Sequence, residues 1–145
     1  MATQEKTIKA IGEIVLRVKD MKSMREFYEK VLGLEVMRDF ENIIFLKIAP
    51  GYGGHTQVLA LFDESIPPDH SRAQLRTELD HTKTSLHHLA FAIDLADYKS
   101  EMERLQGLGF VVETMVHDWA HWHALYVFDP EGNVVELVCY DESAQ

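Results

Sequence analysis

A chain of 145 residues, 46% apolar and 26% charged, has the length for one domain with a sizeable core and the composition of a folded globular protein rather than a disordered one. A formal charge of −10 excludes the basic footprint that nucleic-acid binding requires and disfavours anionic membrane surfaces. Cys139 is the only cysteine, so an intrachain disulfide and a zinc site built on several thiolates are excluded; no apolar run spans a bilayer, MATQEKTIKA lacks the apolar core of a signal peptide, and a cytoplasmic protein is the simplest expectation.

In chain order, IGEIVLRV (11–18) predicts a strand, which Asp20 breaks. Ser23 and Glu26 have the spacing of a capping box, and Met24, Phe27, Tyr28 and Val31 then fall on one helical face that Gly33 closes. Strands are expected at 34–38, 42–48 and 57–62, separated by Asp39 and by PGYGG (50–54). Residues 63–84 are polar, contain a Pro-Pro pair, and read as a connector with a turn or two of helix around 71–79. The pattern then restarts. LHHLAFAI (86–93) reads as a strand, and Asp97 as the cap of a helix carrying Tyr98, Met102, Leu105 and Leu108 that ends at Gly109. FVVETMV (110–116) and WHALYVF (122–128) read as strands, DPEGN (129–133) as a turn, and VVELVCY (134–140) as the last strand.

The two halves match. Leu32-Gly33 and Leu108-Gly109 are offset by 76, and Val18 and Ile93, which close the first strands, by 75. The expected fold is therefore α+β: two βαβββ modules in tandem, about 9–62 and 85–140, forming a curved mixed sheet around a central cavity within a single domain.

The repeat also brings candidate ligands into equivalent places. An offset of 75 carries His88 onto Glu13, and one of 76 carries Glu136 onto Ala60. Strand parity points the same way: Ile14, Leu16 and Val18 should pack under the helix, leaving Glu13, Val15 and Arg17 for the cavity. In the second half Leu89, Phe91 and Ile93 take the packing role, so His88, Ala90 and Ala92 face the cavity and His87 does not; Val134, Glu136 and Val138 share a face. A lone His at a strand end, or a lone Glu in an apolar strand, is usually only a tolerated polar residue. Two carboxylates aimed at one cavity, however, would repel and be costly to bury, and a divalent cation removes both difficulties. Glu13, His88 and Glu136 form a mixed nitrogen and oxygen set suited to Fe, Mn, Zn, Ni or Co, with positions left for water or substrate.

IVLRVKDMKSMREFYEKVLGLEV (14–36), HHLAFAID (87–94) and LYVFDPEGNVVEL (125–137) together resemble the vicinal oxygen chelate superfamily, which contains glyoxalase I, methylmalonyl-CoA epimerase, the fosfomycin and bleomycin resistance proteins and the extradiol dioxygenases. The resemblance covers nearly the whole chain apart from the tails and the connector. It implies metal ligands on the first and last strands of each module, which fall on Glu13, His88 and Glu136, and it implies a homodimer. Glu13 stands where many members carry His or Gln, and Ala60 where four-ligand members carry Glu. Tyr126, ten residues before Glu136, matches an active-site Tyr of the dioxygenases, and His117 lies near their acid/base His. Arg17 stands where glyoxalase I holds a substrate carboxylate, and Trp122 shares the Tyr126 face and so could contact substrate. His121 and His123 take the opposite parity, while His55, Gln57, His70 and His81 read as surface positions, with Gln57 or His55 substitute ligands only if the strand register shifts.

The expected function is thus a metal-dependent enzyme acting on a small substrate that chelates the metal, narrowly favoured as dioxygenase-like. A glyoxalase- or epimerase-type isomerase or lyase is the alternative, and a metal-free drug- or metabolite-binding protein a third reading. No membrane or nucleic-acid partner is expected.

Overall fold

Residues 10–66, 86 and 88–143 are described in a computed structural model of the chain; the predicted features at 67–85 and at His87, and with them His70 and His81, lie outside the described residues. The chain divides into two compact units, one carrying strands β1–β4 and the other β5–β8.

In the first module β1 (Glu13–Val18) leads into helix α1 (Met21–Glu26), whose next turn, Phe27–Val31, widens to π geometry. Strands β2 (Glu35–Asp39), β3 (Ile43–Pro50) and β4 (Thr56–Asp63) complete a sheet of order β1-β4-β3-β2. Only β1 and β4 run parallel, a pairing that needs a long crossover, which α1 and the β2-β3 hairpin provide. Leu16, Val18, Ile44, Leu46, Leu59 and Leu61 alternate along their strands and are buried, as are Met24, Phe27 and Tyr28 of the helix. The predicted helical face is therefore correct, but the predicted cap is not. Asp20, which reads in the sequence as a strand breaker, accepts the Ser23 amide at 3.1 Å and the Ser23 hydroxyl at 2.6 Å. The helix begins two residues before Ser23, so Ser23 occupies its first turn rather than the cap, and Glu26 is too far along to reach back.

The second module repeats the plan. β5 (Leu89–Ala92) is followed by a tight turn at Leu95–Asp97 and by α2 (Tyr98–Gly107). β6 (Glu113–His117), a short turn at Asp118–Ala120, β7 (Trp122–Phe128) and β8 (Val134–Tyr140) give a sheet of order β5-β8-β7-β6, again parallel only at β5/β8. The last two strands fall where the sequence predicts them. β6 starts three residues later than expected, and the Asp97 side chain makes no cap, because the chain enters α2 through the preceding turn, with the Asp97 amide bonded to the Asp94 carbonyl at 3.0 Å. Leu108 does not join the buried face of α2: it is 57% exposed, whereas Leu105 is fully buried. The helix has already ended there, and the left-handed backbone of Gly109 (φ 92°) turns the chain away; Gly33 (φ 79°) ends the first helix in the same way.

The register bears out the repeat residue by residue. Val15–Ala60–Phe45 form one row across β1, β4 and β3; Ala90–Glu136–Tyr126 form the same row across β5, β8 and β7. The architecture is α+β, two βαβββ modules in tandem. Leu105→Ala should cost about 2–5 kcal/mol of unfolding free energy in urea titration, as expected for an emptied core position, and Leu108→Ala within about 0.5 kcal/mol of nothing.

Candidate functional site

The site begins with strand alternation in the second module. Leu89, Val135, Leu137, Leu125 and Val127 are buried on the side where Tyr98 of α2 reaches the sheet, its hydroxyl donating to the Ala124 carbonyl at 3.1 Å. The residues between them, Ala90, Glu136 and Tyr126, stand side by side on the opposite face. His88, just before β5, belongs to that face, as does His117 at the end of β6, paired with Trp122.

These side chains form one chain of contacts. His88 Nε2 lies 3.0 Å from Glu136 Oε2. The Tyr126 hydroxyl donates to the other carboxylate oxygen, Oε1, at 3.3 Å, and lies 3.0 Å from His117 Nε2. A phenol has one proton. When Tyr126 gives it to Glu136, His117 must offer an Nε2–H to the phenolic oxygen; when His117 accepts at Nε2, Glu136 loses that bond. The state of one imidazole is thereby coupled to the carboxylate two contacts away.

Glu136 is only 5% exposed, and an unpaired carboxylate there would be strongly disfavoured. His88 and Tyr126 supply the compensation, and no buried side-chain nitrogen or oxygen among the described residues lacks a hydrogen-bond partner. Burial, then the Glu136 charge and the hydrogen bond to it, raise the Tyr126 phenol above its ordinary value, so the hydroxyl stays protonated at neutral pH and acts as a donor.

The imidazole and carboxylate also suit a divalent ion. His88 and Glu136 are paired with each other at 3.0 Å, and both are donor types that divalent ions take. Among the described residues no group of three or more His, Cys, Asp or Glu side chains is gathered in metal-binding fashion.

Glu13 and Arg17 belong to the first module, on the same face of β1, exposed, opposite Val58 and Phe62 of β4. That face is apolar where its counterpart is polar: buried Ala60 holds the place of Glu136, and Phe45 that of Tyr126, its ring edge-on to Phe62 at 6.1 Å. The register places Val58 rather than Gln57 opposite Glu13, and the Gln57 amide donates to the Pro50 carbonyl at 3.2 Å, so Gln57 does not take a ligand position; the His55 ring packs over Gly12. His123 is on the helix side as expected, 3.1 Å from an Asp141 oxygen, with its ring 5.5 Å from that of Tyr98. His121 precedes β7 in a left-handed conformation, so strand parity does not apply to it, and its ring meets Tyr140 at 6.0 Å.

Trp122 stands beside His117, ring centroids 6.4 Å apart, and Trp119 leans on Trp122 at 5.6 Å. The strand pattern missed Trp119 because it lies in the turn before β7. The signal that could have found it is the pair of indoles three residues apart around a histidine-rich turn, HDWAHWH.

The family model described as Glyoxalase/Bleomycin resistance protein/Dioxygenase superfamily matches residues 10–137. Lactoylglutathione lyase from Agrobacterium tumefaciens is 29% identical, with a TM-score of 0.68 over 92% of this chain and 96% of that one. The fosfomycin resistance protein FosX from Listeria monocytogenes shares the fold at 17% identity and a TM-score of 0.65, over 94% of this chain and 97% of that one. The oxidase ChaP-H2 shares it at 18% identity and a TM-score of 0.63, over 96% of this chain and 98% of that one. No curated protein matches the sequence.

Alkaline titration of the metal-free protein, followed by phenolate absorbance, should show Tyr126 ionising later than a free tyrosine; Tyr126→Phe should remove a late-ionising phenol. Since the folded form holds that proton more tightly than the unfolded chain, the stability linked to Tyr126 is fully present below about pH 10 and lost as pH rises above it. If the phenol lost in Tyr126→Phe is one that ionises like a free tyrosine, the contact with Glu136 is refuted.

Proposed function

The chain belongs to the Glyoxalase/Bleomycin resistance protein/Dioxygenase superfamily, and on that premise we propose that it is a metal-dependent, dioxygenase-like enzyme acting on a small substrate that presents neighbouring oxygens. The observation that carries this reading is the chain of contacts His88–Glu136–Tyr126–His117 on one face of the second sheet. His88 and Glu136 would hold a divalent ion from iron, manganese, zinc, nickel or cobalt, with Glu13 as third ligand, because Glu13 occupies in the first module the strand position that His88 occupies in the second. The ion would polarise the substrate's neighbouring oxygens and favour their deprotonated form.

The chain's own residues supply the rest. Tyr126 orients the Glu136 carboxylate and presents its hydroxyl beside it. His117 takes up or returns a proton at Nε2 through that hydroxyl, the role expected of an acid/base group one contact removed from the reacting atoms. Trp122 and Arg17 would contact the substrate. Glu13 in place of an imidazole adds a negative charge to the ligand set, which weakens the pull on the substrate's oxygens.

One comparison favours a second reading, a lyase or isomerase: the likeness to lactoylglutathione lyase, at 29% identity over 92% of this chain. On that reading Glu13 or Glu136 abstracts a proton from the substrate. A small-molecule partner and a homodimer suit either reading.

Metal content of protein purified without chelators separates these from a metal-free binding protein. Wild type should carry close to one equivalent of a transition metal, and Glu13→Gln, His88→Ala and Glu136→Gln should each weaken metal affinity at least about tenfold. Wild type and variants with equally negligible metal would sink both enzyme readings. In the iron-loaded enzyme, aerobic ring cleavage across a panel of catechols is expected, with His117→Ala lowering kcat by about 10²–10⁴ at unchanged metal content. Isomerisation of a hemithioacetal without oxygen uptake would instead select the lyase reading.

A further inference from the structure

The strongest feature that the relay leaves unused is the aromatic wall at its His117 end. Trp119 and Trp122 are 78% and 41% exposed, and they are the chain's only tryptophans. Exposed indoles in contact with each other leave a sizeable apolar patch in water, as surfaces that meet a ligand do.

They are held in place. The Trp119 amide is bonded to the Asp118 carboxylate at 3.0 Å, and the His121 amide to the Asp118 carbonyl at 3.2 Å. His121 takes a left-handed conformation (φ 57°), uncommon outside glycine, and its carbonyl accepts the Asp141 amide at 2.8 Å, tying the turn to the chain just after β8. From this turn Trp119 projects beside Trp122, whose ring is edge-on to His117. The wall therefore runs without a break from the acid/base histidine outwards. Tyr140 is paired with Trp122 across the sheet, on the same face, and is itself 61% exposed.

We propose that Trp119 and Trp122 together form a specificity wall for the conjugated part of the substrate, and that the wall selects a planar system longer than one six-membered ring. The indole centroids are 5.6 Å apart and their planes are tilted by 54°, so a single ring stacked on Trp122 meets that indole alone, whereas the far ring of a fused bicyclic ligand stacked there also meets Trp119. Trp119 is then the residue that reads ring length and Trp122 the one that meets the nearer ring. The proposal rests on the enzymatic reading of the site for the direction in which the ligand lies, but the wall itself consists of side chains alone and works with or without a metal.

The test uses two probes, catechol and naphthalene-2,3-diol, titrated calorimetrically into the full chain both as purified and after chelator treatment. Naphthalene-2,3-diol should bind about tenfold more tightly than catechol, about 1.4 kcal/mol. Trp119→Ala should abolish that ratio while leaving catechol affinity within twofold, and Trp119→Phe should restore most of it. The fluorescence of Trp122→Phe, which retains Trp119 alone, should respond to naphthalene-2,3-diol and not to catechol. Equal affinities for the two diols, or a ratio that survives Trp119→Ala, would overturn the proposal. Because the ratio is read in chelator-treated protein as well, its failure is distinct from failure to bind metal. A wall confirmed in a protein without metal would leave a binding protein selective for bicyclic ligands.

Discussion

The second module is organised around one costly group, the Glu136 carboxylate. It sits in β8 between two other strands and is almost inaccessible, in a place where an apolar side chain would pack at no electrostatic cost. A carboxylate is tolerated there only if its oxygens are paired, and the two pairings divide the work: His88 meets Oε2 and Tyr126 meets Oε1. Once these are made, Tyr126 is fixed, and with it the place of His117. Along β5 the neighbours on this face are the small Ala90, beside Glu136, and Ala92.

The first module shows what the same backbone does without that group. At equivalent positions Ala60 and Phe45 replace Glu136 and Tyr126, and the row packs as an aromatic and aliphatic surface with Phe62. One backbone plan used twice has thus diverged into a polar face and an apolar face. The one charged residue at a ligand-equivalent position in the first copy is Glu13, at the strand start, where it is exposed and costs little. The carboxylate of the second module carries a desolvation cost that the exposed Glu13 of the first does not.

Much of this was legible in the sequence, because period-2 alternation and a two-copy repeat are local and additive. Parity groups His88 with Ala90 and Ala92, Glu136 with Val134 and Val138, and Trp122 with Tyr126, which family likeness singles out, and the offsets of 75 and 76 agree with the strand register. The failures lie where several local rules compete. Asp20 and Ser23 can each cap a helix, and the choice depends on where the strand before it lets go, which the capping spacing does not encode. Leu108 keeps helical spacing with Leu105, but spacing says nothing about a helix that has already ended. His121 and Trp119 lie in a turn, where no parity exists, and their placement depends on a left-handed residue and on bonds to Asp118 and Asp141. Family likeness, not periodicity, points to His117, since its contact with Tyr126 spans two strands.

The order of the strands also explains how such a cluster can be both rigid and responsive. Glu136 and Tyr126 are in β8 and β7, the central strands, each held by a ladder on both sides. His88 lies just before the edge strand β5 and His117 at the end of the edge strand β6. The carboxylate and the phenol are thus in the best-held positions of the sheet, and the two imidazoles are at its margins. Between His117 and the carboxylate stands a single phenol whose own ionisation is suppressed by burial and by Glu136. Tyr126 can therefore relay the state of His117 by redirecting its one hydrogen, without becoming charged itself.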